Sequence, residues 1–105
     1  TFPDILNDHE TWGRLVESAV GAHLLNYAHQ EDMSLHYWRE RNDEMDFVIM
    51  QKGKTIGIEV KSSVTRSASG MSAFQQKYNP HKVILVGNDG IPWQEFLKLD
   101  PKELF

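Results

Sequence analysis

The chain has 105 residues, of which 40% are apolar and 25% are charged, and its formal net charge is −4. This composition argues against a disordered protein and a strongly basic nucleic-acid binder, and the length predicts one domain over residues 1–105. No apolar run approaches the roughly 20 residues of a membrane-spanning helix, so no membrane partner is expected. Because the sequence has no cysteine, it has no disulfide framework, which fits a cytoplasmic protein.

The first half of the chain predicts one long helix followed by an antiparallel meander. Apolar residues recur at helical spacing from Trp12 to Tyr27, which predicts an amphipathic helix over about residues 9–29. Three β-rich segments then follow in the order LHYWRE, MDFVIMQ and TIGIEVK. We predict antiparallel strands there, with a turn around Lys52 and Gly53 joining the second strand to the third.

The second half predicts a helix, a strand and a last helix. The segment MSAFQQKYN is typical of a short helix that Pro80 would end. The apolar segment HKVILVG predicts a strand that lies inside the sheet. After a turn at NDG, the segment PWQEFLKL predicts a short helix with Pro92 at its start.

Glu17 lies in an unusual setting on the predicted first helix. Gly13, Glu17 and Gly21 are spaced four apart and therefore share one side of the helix. Each interior glycine costs about 1 kcal/mol relative to alanine. We therefore expect another element to approach the helix closely on this side.

Two acidic residues and a lysine are predicted to converge on one face of the meander. Glu59 and Lys61 lie two apart on one strand, so their side chains point the same way. A two-residue turn at Lys52 and Gly53 sets a register in which Asp46 lies directly opposite Glu59. Opposed residues of antiparallel strands project to the same face, with Cβ atoms about 4.5–5.5 Å apart.

This acidic pair is a candidate metal site. Two carboxylates so close should raise one pKa unless a cation neutralises them. Mg²⁺ takes oxygen ligands, typically one or two carboxylates plus waters, which makes Asp46 and Glu59 candidate ligands of Mg²⁺ or Mn²⁺. Lys61 would position a water or stabilise negative charge on a phosphate. The alternative is that Asp46 and Lys61 only form an ion pair with Glu59 at the edge of the sheet.

Basic residues concentrate in the middle of the chain. Residues 47–82 hold six Lys or Arg against one acidic residue, whereas residues 1–46 hold three against ten and residues 83–105 hold two against four. This basic segment is interpreted either as a solvated face or as a surface that faces a phosphate backbone. In the second interpretation, the candidate nucleic-acid contacts include Lys52, Lys54, Arg66 and Lys77.

These residues resemble a known pattern. Asp46, followed after twelve residues by Glu59-Val60-Lys61, with a helical Glu17 upstream, resembles the PD-(D/E)xK signature of the restriction-endonuclease-like fold. More narrowly, about residues 12–98 resemble the C-terminal domain of unknown function that follows the AAA+ type ATPase domain in many bacterial and archaeal proteins. Four segments carry this resemblance in order: GRLVESAVGAHLL, YWRERNDEMDFVI, GIEVKSS and VILVGNDGIPWQEFL.

Two features depart from the pattern. Met45 stands where the short signature has a proline. The chain also has no GxxxxGK(S/T) loop, so the nucleotide-binding part of such an ATPase is absent from these residues. We expect this chain to be the C-terminal fragment of a larger ATPase.

The resemblance implies an α/β, restriction-endonuclease-like fold of three layers, in which helices flank a central mixed sheet that contains the antiparallel meander. It implies that Asp46 and Glu59 bind Mg²⁺ and that Lys61 assists the attacking water. Glu17 would support the metal or its waters from the helix. Gln75 or Gln76 would match a polar residue that some branches carry on the helix after this strand, which adds Gln75 to the candidate nucleic-acid contacts.

Three classes of function are therefore expected. The first is a nuclease-like domain that hydrolyses phosphodiester bonds in nucleic acid with Mg²⁺ and works with the N-terminal ATPase domain of the same polypeptide. The second is a non-catalytic DNA- or protein-binding module coupled to that ATPase domain. The third is a plain interaction domain, which includes a homo-oligomer.

Overall fold

The structure is a computed structural model that describes residues 9–61, 69–87 and 89–105. In chain order, the elements are α1 (His9–Gln30), β1 (Ser34–Glu40), β2 (Asp43–Gln51), β3 (Lys54–Lys61), α2 (Ser69–Tyr78), β4 (Lys82–Gly87), α3 (Trp93–Phe96) and a 3₁₀ helix (Pro101–Leu104). Within these residues, no helix has the length and apolar character that crossing a membrane requires.

The four described strands form one mixed sheet in the order β1-β2-β3-β4. Strands β1, β2 and β3 are antiparallel neighbours, as the predicted meander requires. Strand β4 pairs in parallel with β3. A parallel pair needs a crossover connection, and α2 lies in the connection between β3 and β4.

Successive side chains of β3 point to opposite faces of the sheet, and a separate hydrophobic core lies on each face. On one face, α1 packs onto β3 in a core that includes Val16, Val20, Leu24, Ile56, Ile58 and Val60. On the other face, Phe74 of α2 covers Gly57, where a Cβ atom would lie 2.9 Å from the ring. Phe74 also packs with Met45 and Val48 in a second, smaller core. The sheet is therefore flanked by helices on both faces, which confirms the predicted α/β class with a mixed sheet.

The turn between β2 and β3 sets the predicted register. Lys52 and Gly53 have φ angles of 53° and 79°, and positive φ at both central residues is the requirement of a type I′ hairpin turn. The backbone pairs then run from Gln51 with Lys54 to Phe47 with Ile58. The predicted register is confirmed over these pairs.

The prediction that the segment at residues 81–87 lies inside the sheet is wrong. Among the described strands, β4 is the last in the order, beside β3. The side chains of β4 are apolar on both faces because both faces pack against a hydrophobic core, as is usual for a strand of a parallel pair. Val83 packs against the smaller core and Ile84 against the larger one.

The segment after β4 packs its aromatic residues onto α1. Trp93 meets Trp12 edge to face with ring centroids 5.7 Å apart, and His23 lies 2.7 Å through Nε2 from the Leu99 carbonyl oxygen. Helix α3 is shorter than predicted, since Pro92 is its N-cap and the helix ends at Phe96. Trp12 and Trp93 are both partly buried and pack against the larger core.

Candidate functional site

A β-bulge lies at the position of Asp46. The β1–β2 pairing shifts by one residue between His36 and Trp38, so that Asp46 and Phe47 of β2 together face Tyr37 of β1. A bulge bends its strand and changes the direction of the side chains beside it. Asp46 therefore leaves the regular alternation of β2.

The Asp46 side chain takes the place of a backbone acceptor between β2 and β3. The backbone ladder ends at Phe47 and Ile58, one pair before the predicted pair of Asp46 and Glu59. Instead, the Val60 N–H donates to Oδ2 of Asp46 at an N···O distance of 2.7 Å. The predicted backbone pair does not form because the bulge removes Asp46 from the ladder.

The Glu59 side chain is nevertheless in contact with the Asp46 side chain. Glu59 is 9% exposed and is the one charged residue that is buried among those the structure describes. Burial, the charge of Asp46 and a side-chain hydrogen bond with Asp46 raise the pKa of Glu59 from 4.5 to about 8. The raised pKa favours the protonated form of Glu59, which donates a hydrogen bond to the Asp46 carboxylate.

Lys61 lies on the same strand beside this acidic pair. It is half-buried at the end of β3, and its positive charge acts against the rise in the pKa of Glu59. The structure thus brings together three of the four predicted site residues, with Asp46 and Glu59 in direct contact and Lys61 close enough for a charge interaction.

Glu17 reaches the site from α1. It is exposed and lines one groove together with Asp46 and Val60. In the described part of the chain, no three His, Asp or Glu side chains are placed to hold one metal ion. The predicted role of Glu17, which is to support a metal or its waters from the helix, stays a prediction.

The groove next to Asp46 has a volume of about 520 Å³. Helix α1 forms one side of it through Glu17, and β1 and the bulged part of β2 supply most of the remainder. The lining residues from these strands are Leu35, His36, Tyr37, Trp38, Arg39, Glu44, Met45, Asp46 and Phe47. Tyr37 had not been predicted as a site residue, because no local sequence signal marks a bulge in the facing strand.

Gly21 allows α1 to approach β2 beside this groove. A Cβ atom at Gly21 would lie 3.0 Å from Cε1 and Cζ of Phe47. The close approach predicted for the side of α1 that carries Glu17 is confirmed at this residue.

Gly21→Val is expected to destabilise the protein by about 1–3 kcal/mol, because the added methyl groups overpack against the Phe47 ring. The free energy of unfolding in urea measures this effect. Ala22→Val is the matched control, since Ala22 is the next residue of α1 and is exposed. Equal losses in the two variants would contradict the close contact with Phe47.

The predicted nucleic-acid contacts Lys52 and Lys54 lie away from the groove. Lys52 lies in the β2–β3 turn and Lys54 follows the turn, at the opposite end of β3 from Lys61, where both line a different pocket with Lys102. At about 3.3 Å per residue, the five steps from Lys54 to Glu59 span roughly 17 Å. Lys52 and Lys54 therefore do not lie beside the acidic pair.

The other predicted nucleic-acid contacts lie on or before α2. Lys77 forms an ion pair with Glu40 of β1, and this hydrogen bond raises the pKa of Lys77. Gln75 is exposed and does not line the groove. Arg66 lies outside the described residues.

The fold and the site define an α/β domain whose mixed sheet carries an acidic pair, the half-buried Asp46 and the buried Glu59, where β2 begins and β3 ends. The chain belongs to the family described as "Domain of unknown function (DUF4143)", which it matches over residues 12–99. This membership agrees with the predicted relationship to a domain of unknown function. Comparisons with curated proteins and with solved structures found no match.

Proposed function

We propose that this domain is a Mg²⁺-dependent nuclease-like domain of the PD-(D/E)xK superfamily, with a restriction-endonuclease-like fold, which hydrolyses phosphodiester bonds in nucleic acid. In this proposal it follows the ATPase domain of a larger polypeptide of the AAA+ class. The observation that carries the proposal is the contact of Asp46 with Glu59, beside Lys61 and next to an open groove. An acidic pair in which burial favours a proton on one carboxyl group is a place where a divalent cation competes with that proton.

The acidic pair fits Mg²⁺ or Mn²⁺. Mg²⁺ is usually held by one or two carboxylates together with waters and substrate phosphate oxygens, and Asp46 and Glu59 supply two. The N–H and C=O of one strand residue face the same neighbouring strand. Since the Val60 N–H donates to Asp46, the Val60 carbonyl faces the same side and is a third oxygen for the ion.

The residues of the chain have separate roles in this mechanism. A bound ion supplies a Lewis acid that activates a water and offsets charge on the phosphate. Asp46 is fixed by the Val60 N–H, so its carboxylate keeps one orientation. Lys61 positions the attacking water and stabilises the negative charge that develops on the phosphate. Glu17 orients water from the opposite side of the groove.

A second candidate is a non-catalytic module that binds DNA or a protein partner and couples it to the ATPase domain, as a monomer or a homo-oligomer. The separation of charges favours this candidate. At the far end of β3, one pocket is lined by the three lysines Lys52, Lys54 and Lys102 together with the two acidic residues Glu31 and Asp32. The excess of basic residues there would offer an anionic partner a surface separate from Asp46 and Glu59.

Titration calorimetry with Mg²⁺ and Mn²⁺ tests the metal site. The wild type is expected to bind one ion per chain and to release a proton from Glu59 on binding, which shows as a dependence of the heat on the ionisation enthalpy of the buffer. Asp46→Asn is expected to weaken binding by tenfold or more, whereas Asp43→Asn on the same strand should leave it unchanged. Absence of binding by the wild type at millimolar metal would contradict the metal site.

A nuclease assay with the same proteins then tests hydrolysis. Cleavage of DNA or RNA by the wild type and by Asp43→Asn, but not by Asp46→Asn, is the expected result. Metal binding without cleavage would favour the binding module over the nuclease.

A further inference from the structure

Tyr37 is an exposed aromatic residue that lines the groove beside Asp46. Tyr37 is 78% exposed, which makes it the most exposed large apolar residue of those described. It faces Asp46 and Phe47 across the bulge, and it lines the same groove as Asp46 and Glu17. A phenol ring left in water contributes little to the stability of the fold, so the ring is available to a ligand in the groove.

Arg39 complements the Tyr37 ring. It is exposed and lines the same groove. The two residues lie two apart on β1, so their side chains leave the same face of the strand about 6.8 Å apart. A guanidinium group binds a phosphate through two parallel hydrogen bonds, while an aromatic ring binds the face of a nucleobase. Together they offer one contact for each part of a nucleotide.

The charges of the groove argue against a duplex. Its lining includes the acidic residues Glu17, Glu44 and Asp46 against a single arginine, Arg39. Duplex binding depends mainly on many basic contacts to the phosphates of both strands. Stacking of a base on an aromatic ring needs no such basic surface, but it needs a base whose face is not already covered by its neighbours.

We propose that the groove beside Asp46 binds a single nucleic-acid strand or an unpaired segment, with one base stacked on Tyr37 and the adjoining phosphate held by Arg39. This inference rests on the proposed function and names its substrate class. The stacked base places the neighbouring phosphodiester next to Asp46, because Tyr37 and Asp46 face each other across the bulge.

Fluorescence anisotropy with a labelled 12-nucleotide single strand, as DNA and as RNA, and with the blunt DNA duplex of the same sequence tests this proposal. Ca²⁺ replaces Mg²⁺ so that binding is measured without turnover. The wild type is expected to bind one of the single strands at least tenfold more tightly than the duplex. Tyr37→Ala is expected to weaken that binding by about tenfold or more, while Tyr37→Phe, which keeps the ring, should bind as the wild type does.

Three outcomes would overturn the proposal. They are equal binding of the single strand by wild type and Tyr37→Ala, tighter binding of the duplex than of the single strand, and no binding of either probe by the wild type. Because Tyr37 is exposed, Tyr37→Ala should fold normally, and far-ultraviolet circular dichroism checks this.

The metal titration of Tyr37→Ala separates this proposal from the proposed function. Mg²⁺ binding by this variant should equal that of the wild type. If the metal binds but Tyr37 has no effect on the single strand, the proposed substrate class is wrong while the metal site stands. If strand binding depends on Tyr37 but no metal binds, the groove binds nucleic acid and the nuclease function is wrong.

Discussion

Glu59→Gln is expected to be about as stable as the wild type near pH 4.5 and clearly more stable at pH 8 and above. The pKa of Glu59 is raised from 4.5 to about 8 in the folded protein. The unfolded chain therefore loses this proton at lower pH than the folded chain. The stability linked to Glu59 is fully present below about pH 4.5 and is lost progressively as the pH rises towards 8.

The expected size of this effect is large for a domain of this length. One pKa unit corresponds to about 1.4 kcal/mol, so the shift amounts to a contribution on the order of 5 kcal/mol, against a typical total stability of about 5–15 kcal/mol. The glutamine side chain keeps an N–H donor for Asp46 but has no proton to lose.

Urea unfolding of wild type and Glu59→Gln at a series of pH values measures the difference without added metal. Glu103→Gln is the control, because Glu103 is exposed on the 3₁₀ helix and should follow the wild-type profile. Parallel profiles for wild type and Glu59→Gln would show that Glu59 is not held in its protonated form by the fold. Added Mg²⁺ should stabilise the wild type most at high pH, where Glu59 gives up its proton most easily.

Gly87→Ala is expected to destabilise the protein by about 3 kcal/mol or more and to disturb Lys61. Gly87 pairs with Lys61 across β3 and β4. A Cβ atom at Gly87 would lie 2.0 Å from the Lys61 carbonyl oxygen, and the φ of Gly87 is +149°. Since the obstructing atom belongs to the backbone, the two strands have to separate at the point where the Lys61 side chain is positioned. Strain in this region and overpacking each cost about 1–3 kcal/mol.

Gly53→Ala is the matched control for this effect. Gly53 also has a positive φ, of 79°, but no atom lies within 4 Å of the position of its Cβ. Its replacement therefore adds backbone strain without a collision, and a loss of about 1 kcal/mol is expected. Chemical denaturation of both variants separates the two causes, and equal losses would show that the contact of Gly87 with Lys61 is relieved at little cost.

The sequence permits prediction of the parts of the site that follow from local rules. The turn at Lys52 and Gly53 fixes the hairpin register because the number of turn residues decides which residues face each other. The same rule brings the strands of Asp46 and Glu59 together. The glycine at position 21 predicts a close approach because a helix interior rarely tolerates glycine without a packing reason, and Phe47 supplies that reason.

Other features depend on interactions between distant segments, which local patterns do not specify. The bulge at Asp46 arises from the pairing of β2 with β1. The predicted register follows from the turn between β2 and β3 alone, so it carries no information about that pairing. The apolar run of β4 indicates cover on both faces but not a place in the strand order. The clustering of basic residues along the chain does not specify where they lie in the fold, because Lys61 lies beside Glu59 whereas Lys52 and Lys54 lie at the opposite end of β3.

Strand β3 has the antiparallel neighbour β2 on one side and the parallel neighbour β4 on the other. The contacts of the site with these two strands therefore join residues at different separations along the chain. Asp46 and Glu59 are 13 positions apart and meet through a tight hairpin. Lys61 and Gly87 are 26 positions apart and meet only after α2 has crossed over the sheet. Closing the longer loop costs more chain entropy and depends on more of the fold. We therefore expect the acidic pair to assemble with the early hairpin during folding, and Lys61 to take its final position only when β4 docks.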